Sequence, residues 1–161
     1  MRSRVIAATA LLAAGIPQFG RAHAMPNSTL IIEASTPGRV ELALAIPISE
    51  LEAAAPGRIA DDRIEGFVRQ HVGVRGVDQR AWLGTLTGFT RDGGDHPMLK
   101  LSVRFTPTSG AAPTAGQLRY DAVIDQIASH YVLVYRREGG GLRPVIRLQA
   151  PDTTVALDGR P

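Results

Sequence analysis

Apolar side chains alternate with polar ones along most of the chain. Val40, Leu42, Leu44, Ile46 and Ile48 recur at every second position, opposite Glu41, Ala43, Ala45 and Pro47, which is the spacing of a strand with one buried face. Thr29 to Ala34 is an apolar run before it, and Ser35-Thr36-Pro37-Gly38 has turn composition, so the two runs form a hairpin. Pro47 marks an edge or a strand end, because it donates no backbone N–H. Leu99, Leu101, Val103 and Phe105 alternate with Lys100, Ser102, Arg104 and Thr106. Leu118, Tyr120, Ala122 and Ile124 alternate in the same way with Arg119, Asp121, Val123 and Asp125. Trp82 to Thr90, Tyr131 to Tyr135, Val145 to Ala150 and Val155 to Leu157 supply further short strands. Turns rich in Gly and Asp fall at Arg91 to Asp95 and Glu138 to Gly141, and Thr106 to Gly116 reads as a flexible loop.

Two segments depart from this period. Ser49-Glu50-Leu51-Glu52 fits a capping box, in which the serine accepts an amide of the first turn and Glu52 reaches back. The helix it opens stops at Pro56-Gly57. A second helix follows Asp61-Asp62, with Ile64, Phe67, Val68 and His71 or Val72 at helical spacing, and Gly73 and Gly76 end it. The expected fold class is therefore mainly β: an antiparallel β-sandwich of Ig-like architecture with one or two inserted helices.

The first 24 residues read as an address. Arg2 and Arg4 precede an apolar run from Val5 to Ile16, Pro17 breaks it, and Ala22-His23-Ala24 offers small residues at a cleavage site. This is the pattern of a secretory signal peptide, leaving residues 25–161 as a single extracytoplasmic domain. Export to a bacterial periplasm is expected. The leader also changes the charge. The formal +3 comes from 18 basic and 15 acidic groups, but Arg2, Arg4 and Arg21 belong to the leader, so the remainder is neutral. A neutral surface has no general attraction for nucleic acid or anionic lipid. The chain has no cysteine, which excludes disulfides, thiolate metal sites and a cysteine nucleophile. No apolar run is long enough to span a bilayer.

The residues able to carry chemistry are few. The histidines are His23, His71, His96 and His130, and no two are spaced to aim both rings at one ion from a helix or strand. Asp92-Gly93-Gly94-Asp95-His96 gathers three potential ligands, although a tight turn asks for the same composition. On a strand through residues 118–125, Asp121 and Asp125 share one face, with His130 shortly after. Such carboxylates serve acid–base work or a cation, and more commonly form the solvated side of a strand. The candidate metal residues are thus His130, Asp121, Asp125 and His96. Cleavage before His23 would expose an amino-terminal chelate for copper, whereas cleavage after Ala24 discards it. No Gly-x-Ser-x-Gly elbow occurs, so acyl transfer has little support.

The order of these features is familiar. His23-Ala24-Met25-Pro26-Asn27-Ser28 leading into a strand, then Ile46-Pro47-Ile48-Ser49-Glu50-Leu51, the helix with Phe67, Val68 and His71-Val72, and the stretch from Leu118 to Ile124 with His130 and Val132-Leu133-Val134 resemble the exported N-terminal domain of HupE/UreJ-type membrane proteins. The likeness spans about residues 23–138. It implies a β-rich extracytoplasmic domain attached to a multi-helix membrane part in a group of nickel or cobalt permeases. After Leu157-Asp158-Gly159-Arg160-Pro161 the sequence stops where that family continues into transmembrane helices, so transport is not assigned to these residues. The expectation is a non-catalytic accessory domain that binds a membrane permease region or another envelope protein and not nucleic acid, membrane-tethered in a longer form. No resident cofactor is expected. The alternative is a periplasmic metal-binding module for Ni, Co or Cu, and a hydrolytic enzyme ranks last.

Overall fold

The computed structural model describes residues 27–54 and 60–157. The expected signal peptide, His23 and the Pro56-Gly57 helix stop lie outside the described residues.

Among the described residues the protein is mainly β, with two sheets and two helices. The strands are β1 (Ser28–Thr36), β2 (Arg39–Pro47), β3 (Val72–Gly76), β4 (Trp82–Asp92), β5 (Met98–Pro107), β6 (Ala115–Tyr120), β7 (Val132–Glu138), β8 (Gly141–Leu148) and β9 (Thr154–Ala156). The helices are α1 (Ile48–Ala54) and α2 (Ile64–His71), the latter entered through a single 3-10 turn at Asp61–Arg63. A six-stranded sheet runs in the order β4-β5-β2-β1-β7-β8, and a three-stranded sheet in the order β3-β6-β9. Among the described residues no helix is long and apolar enough to cross a membrane.

The alternation read from the sequence sets the register. Leu30 lies opposite Leu44, Leu44 opposite Leu101, and Leu30 opposite Val134, so one inward row crosses four strands. Neighbouring rows bring Val40 beside Phe105 and Leu42 beside Val103. The smaller sheet adds Val72, Val74, Leu118, Tyr120 and Val155 to the same hydrophobic cluster, while the helices contribute Leu51, Ile64 and Val68. Side chains from both sheets thus share one hydrophobic interior, the main source of stability for a chain without disulfides.

Four expectations change. First, one pairing is not antiparallel: β1 and β7 run parallel, from Ser28 opposite Val132 to Ile32 opposite Arg136. The long stretch of chain between them makes such a crossover feasible, where a tight hairpin would not. Second, helix α1 begins at Ile48, and its Glu50 points into the protein. Third, α2 stops at His71, and Val72 to Gly76 is a strand paired with β6. The β-branched Val72 and Val74 fill inward positions there, and that packing outweighs the two glycines. Fourth, β6 ends at Tyr120, and the chain turns through Ala122 to Gln126 with Val123 in the left-handed region, at φ 68°. The apolar alternation continues through this turn only because Ala122, Val123 and Ile124 are buried as a turn plugging the core.

Candidate functional site

The parallel pairing of β1 with β7 creates the most unusual polar feature of the interior. It sets Ser28, the first residue of β1, opposite Val132, and so beside His130 just ahead of β7. The Ser28 hydroxyl lies 2.9 Å from His130 Nε2, between residues 102 apart in sequence. On the other side of the ring, Nδ1 lies 3.5 Å from Glu50 Oε2, supplied by the first turn of α1. The Tyr120 hydroxyl stands beside Ser28, but neither it nor Glu50 Oε2 completes a well-formed hydrogen bond. Exposures are 0% for Ser28, 2% for His130 and 4% for Glu50.

Burial lowers the pKa of His130, and the nearby Glu50 opposes this only in part. Burial likewise raises that of Tyr120, so its phenol stays protonated. A neutral imidazole that donates from Nδ1 toward Glu50 accepts at Nε2 from the Ser28 hydroxyl. That is the connectivity of a Ser–His–acid triad. What differs is access: a nucleophilic serine must come within bonding reach of a substrate carbon, and this one is covered on every side.

A second polar group begins one residue after Tyr120. Asp121 Oδ1 lies 2.8 Å from His71 Nδ1 at the end of α2, and its other oxygen accepts from Arg119. Arg119 also donates to the Gln70 carbonyl at 2.7 Å, while the Asp121 amide donates to the His71 carbonyl at 3.1 Å. The group locks the end of α2 to the end of β6. The ring of His71 leans on Phe67, with centroids 4.8 Å apart.

The four residues singled out as metal candidates are therefore distributed. His130 belongs to the first group and Asp121 to the second, while Asp125 and His96 are exposed on separate turns. The expected shared face of Asp121 and Asp125 is lost because the strand ends before either of them. Within the Asp92–His96 turn, Asp92 is paired with Lys100 at 2.5 Å. Among the described residues no three His, Cys, Asp or Glu side chains are grouped to hold a metal ion. Sequence reasoning missed Ser28, Glu50 and His71 as partners. Glu50 was hidden inside a capping pattern, and the parallel pairing that recruits Ser28 leaves no local trace.

The open surface is chemically different. A cleft of about 340 Å³ lies between β3 and the start of β4, with Val72, Val74, Leu83 and Phe105 among its walls and Arg69, Arg75 and Arg119 beside them. Among the described residues no acidic side chain or histidine lines it. A second, shallower hollow of about 490 Å³ lies on the large sheet, around Ile31, Ala43, Ala45 and Phe89. Neither is lined by Ser28, His130 or Glu50. The chain matches no protein-family model and no curated protein.

Proposed function

We propose that this is a non-catalytic, exported partner-binding domain: an Ig-like β-sandwich acting outside the cytoplasm as an accessory to an envelope protein, in the manner of the exported part of HupE/UreJ-type permeases. One observation carries the reading. The clustered groups suited to acid–base or nucleophilic chemistry face one another, buried at Ser28, His130 and Glu50 and part-buried at His71 and Asp121, whereas the open cleft offers arginines and apolar walls. Buried polar pairs of the first kind hold chain segments in place. A cleft of the second kind accepts apolar groups of a partner; Arg69 and Arg119 are paired with Glu65 and Asp121, which leaves Arg75, hydrogen-bonded to the Gln79 carbonyl, to favour an acidic group over a basic one.

The test is capture of detergent-solubilised envelope proteins on the purified domain, compared with Arg69→Glu/Arg75→Glu. Recovery of a multi-helix membrane protein by the parent and its loss with the double variant support the reading. Failure to recover any membrane protein, together with a tight small-molecule ligand or ester turnover abolished by Ser28→Ala, overturns it. Calorimetry with Ni, Co, Cu and Zn separates the metal-binding alternative, which requires heat at micromolar metal.

A further inference from the structure

The floor of the β3–β4 cleft is made of core residues. Val72, Val74, Trp82 and Phe105 are only 1–5% exposed, yet all four line it, and Leu83 beside them is 57% exposed. The reason is topological. Strand β3 is an edge of the smaller sheet and β4 an edge of the larger one, and the Arg75–Ala81 bridge joins them. Past that bridge a space of about 340 Å³ lets the hydrophobic interior be reached from outside. A cavity of about 150 Å³ already accepts benzene, so one aromatic side chain fits here with the backbone that carries it. The rings of Trp82 and Phe105 add aromatic contact to plain burial.

The polar groups of the cleft divide by what they already hold. Arg119 is engaged twice, by Asp121 and by the Gln70 carbonyl. It also lies over Gly73, where a Cβ would come 3.8 Å from its Nε. Arg69 is paired with Glu65. Arg75 donates from Nη1 to the Gln79 carbonyl at 2.9 Å and has no carboxylate partner among the described residues. Gln117 lies across from Arg75 where β3 pairs with β6, and Thr154 lies across from Arg119 where β6 pairs with β9. Both line the cleft, and their side chains supply neutral donors beside one cation that lacks a counter-charge. One such guanidinium balances one carboxylate, whereas a phosphate brings a further charge with nothing left to meet it.

We infer that the cleft recognises an aromatic–acidic pair on its protein partner, with the aromatic ring on the Val72, Val74 and Phe105 floor and the adjoining carboxylate on Arg75. This rests on the partner-binding reading above and adds the chemistry of what is bound. Arg75 is then the residue that sets specificity: a basic group in place of the acid meets a like charge, and a neutral one leaves the guanidinium without its partner.

Trp82 is the only tryptophan of the chain and lines the cleft, so its emission reports occupancy. The probes are the blocked dipeptides acetyl-Phe-Asp-amide, acetyl-Phe-Asn-amide and acetyl-Ala-Asp-amide, titrated to millimolar concentration into the purified protein. The Phe-Asp peptide should bind about three- to fivefold more tightly than Phe-Asn, the yield of a solvent-exposed ion pair. It should exceed Ala-Asp by about ten- to a hundredfold, the burial of one ring. Arg75→Gln should abolish the preference for Asp over Asn and keep that for Phe over Ala, with an unchanged circular dichroism spectrum. Arg75→Lys retains the charge and should retain most of the preference. Equal binding of the Asp and Asn peptides, a preference that survives Arg75→Gln, or an unresponsive Trp82 overturns the proposal. Capture of envelope proteins judges the underlying reading separately. Capture without peptide discrimination removes this inference alone, whereas peptide discrimination without any captured partner removes the accessory-domain reading and leaves the site standing.

Discussion

Replacing Ser28 by alanine probes the link between β1 and the loop that carries His130. Ser28 is fully buried, and its hydroxyl is the hydrogen-bonding partner of His130 Nε2 at 2.9 Å. Removing that oxygen leaves a buried ring nitrogen without its partner, at a cost of about 1–3 kcal/mol. The other ring nitrogen faces Glu50 Oε2 at 3.5 Å, and the Tyr120 hydroxyl beside Ser28 lacks a hydrogen bond of its own, so a shift of that phenol toward Nε2 sets the lower end of the range. For a domain of this size such a loss lowers the thermal midpoint by about 3–9 °C. Urea titrations of the parent, Ser28→Ala, His130→Leu and the double variant complete a mutant cycle. A coupling of about 1 kcal/mol is expected, because the second change costs little once its partner is gone. Ser102→Ala, on the exposed face of β5, serves as a control and should stay within about 0.5 kcal/mol of the parent. If Ser28→Ala behaves like that control, or if the two buried changes simply add, the argument from the polar group fails.

Two further outcomes follow from the same interior. Burial holds the His130 pKa below its ordinary 6.5, so the unfolded chain takes up a proton more readily than the folded one. Stability is therefore complete above about pH 6.5 and declines as pH falls below it. A thermal-midpoint profile should show this slope, flattened in His130→Gln; equal slopes would remove His130 as its source. The arginine-paired Glu41 and Glu138, whose pKa values are lowered by those partners, act only in a more acidic window. Gly84→Ala should destabilise by about 1–3 kcal/mol through overpacking, since a Cβ there would sit 2.6 Å from Phe105 Cε1, and that ring is itself buried. A urea midpoint equal to the parent's would show that the ring can yield.

Local pattern was enough wherever a strand buries one face and shows the other to water. β2 and β5 lie where period two placed them, and β1 where its apolar run did, because in two-faced strands the order of side chains is itself the packing instruction. The second helix was legible for the same reason, through Ile64, Phe67 and Val68. The neighbours of a segment decided the rest. Residues 121–124 keep a strand's rhythm yet form a buried turn, since apolar spacing reports burial and not backbone shape. Val72–Gly76 became a strand because β6 offers it an edge, which glycine content cannot foretell. The polar centre lay furthest beyond sequence reach. Ser28, Glu50 and His130 come from three distant segments, and what joins them is the parallel docking of β7 on β1. Residue order alone told which side chains leave water in the two-faced strands β2 and β5; only the closed sheets buried Glu50, Asp121 and Val123 and determined which distant side chains meet, because contact between distant segments depends on strand partner and direction, and neither is encoded within any one stretch of chain.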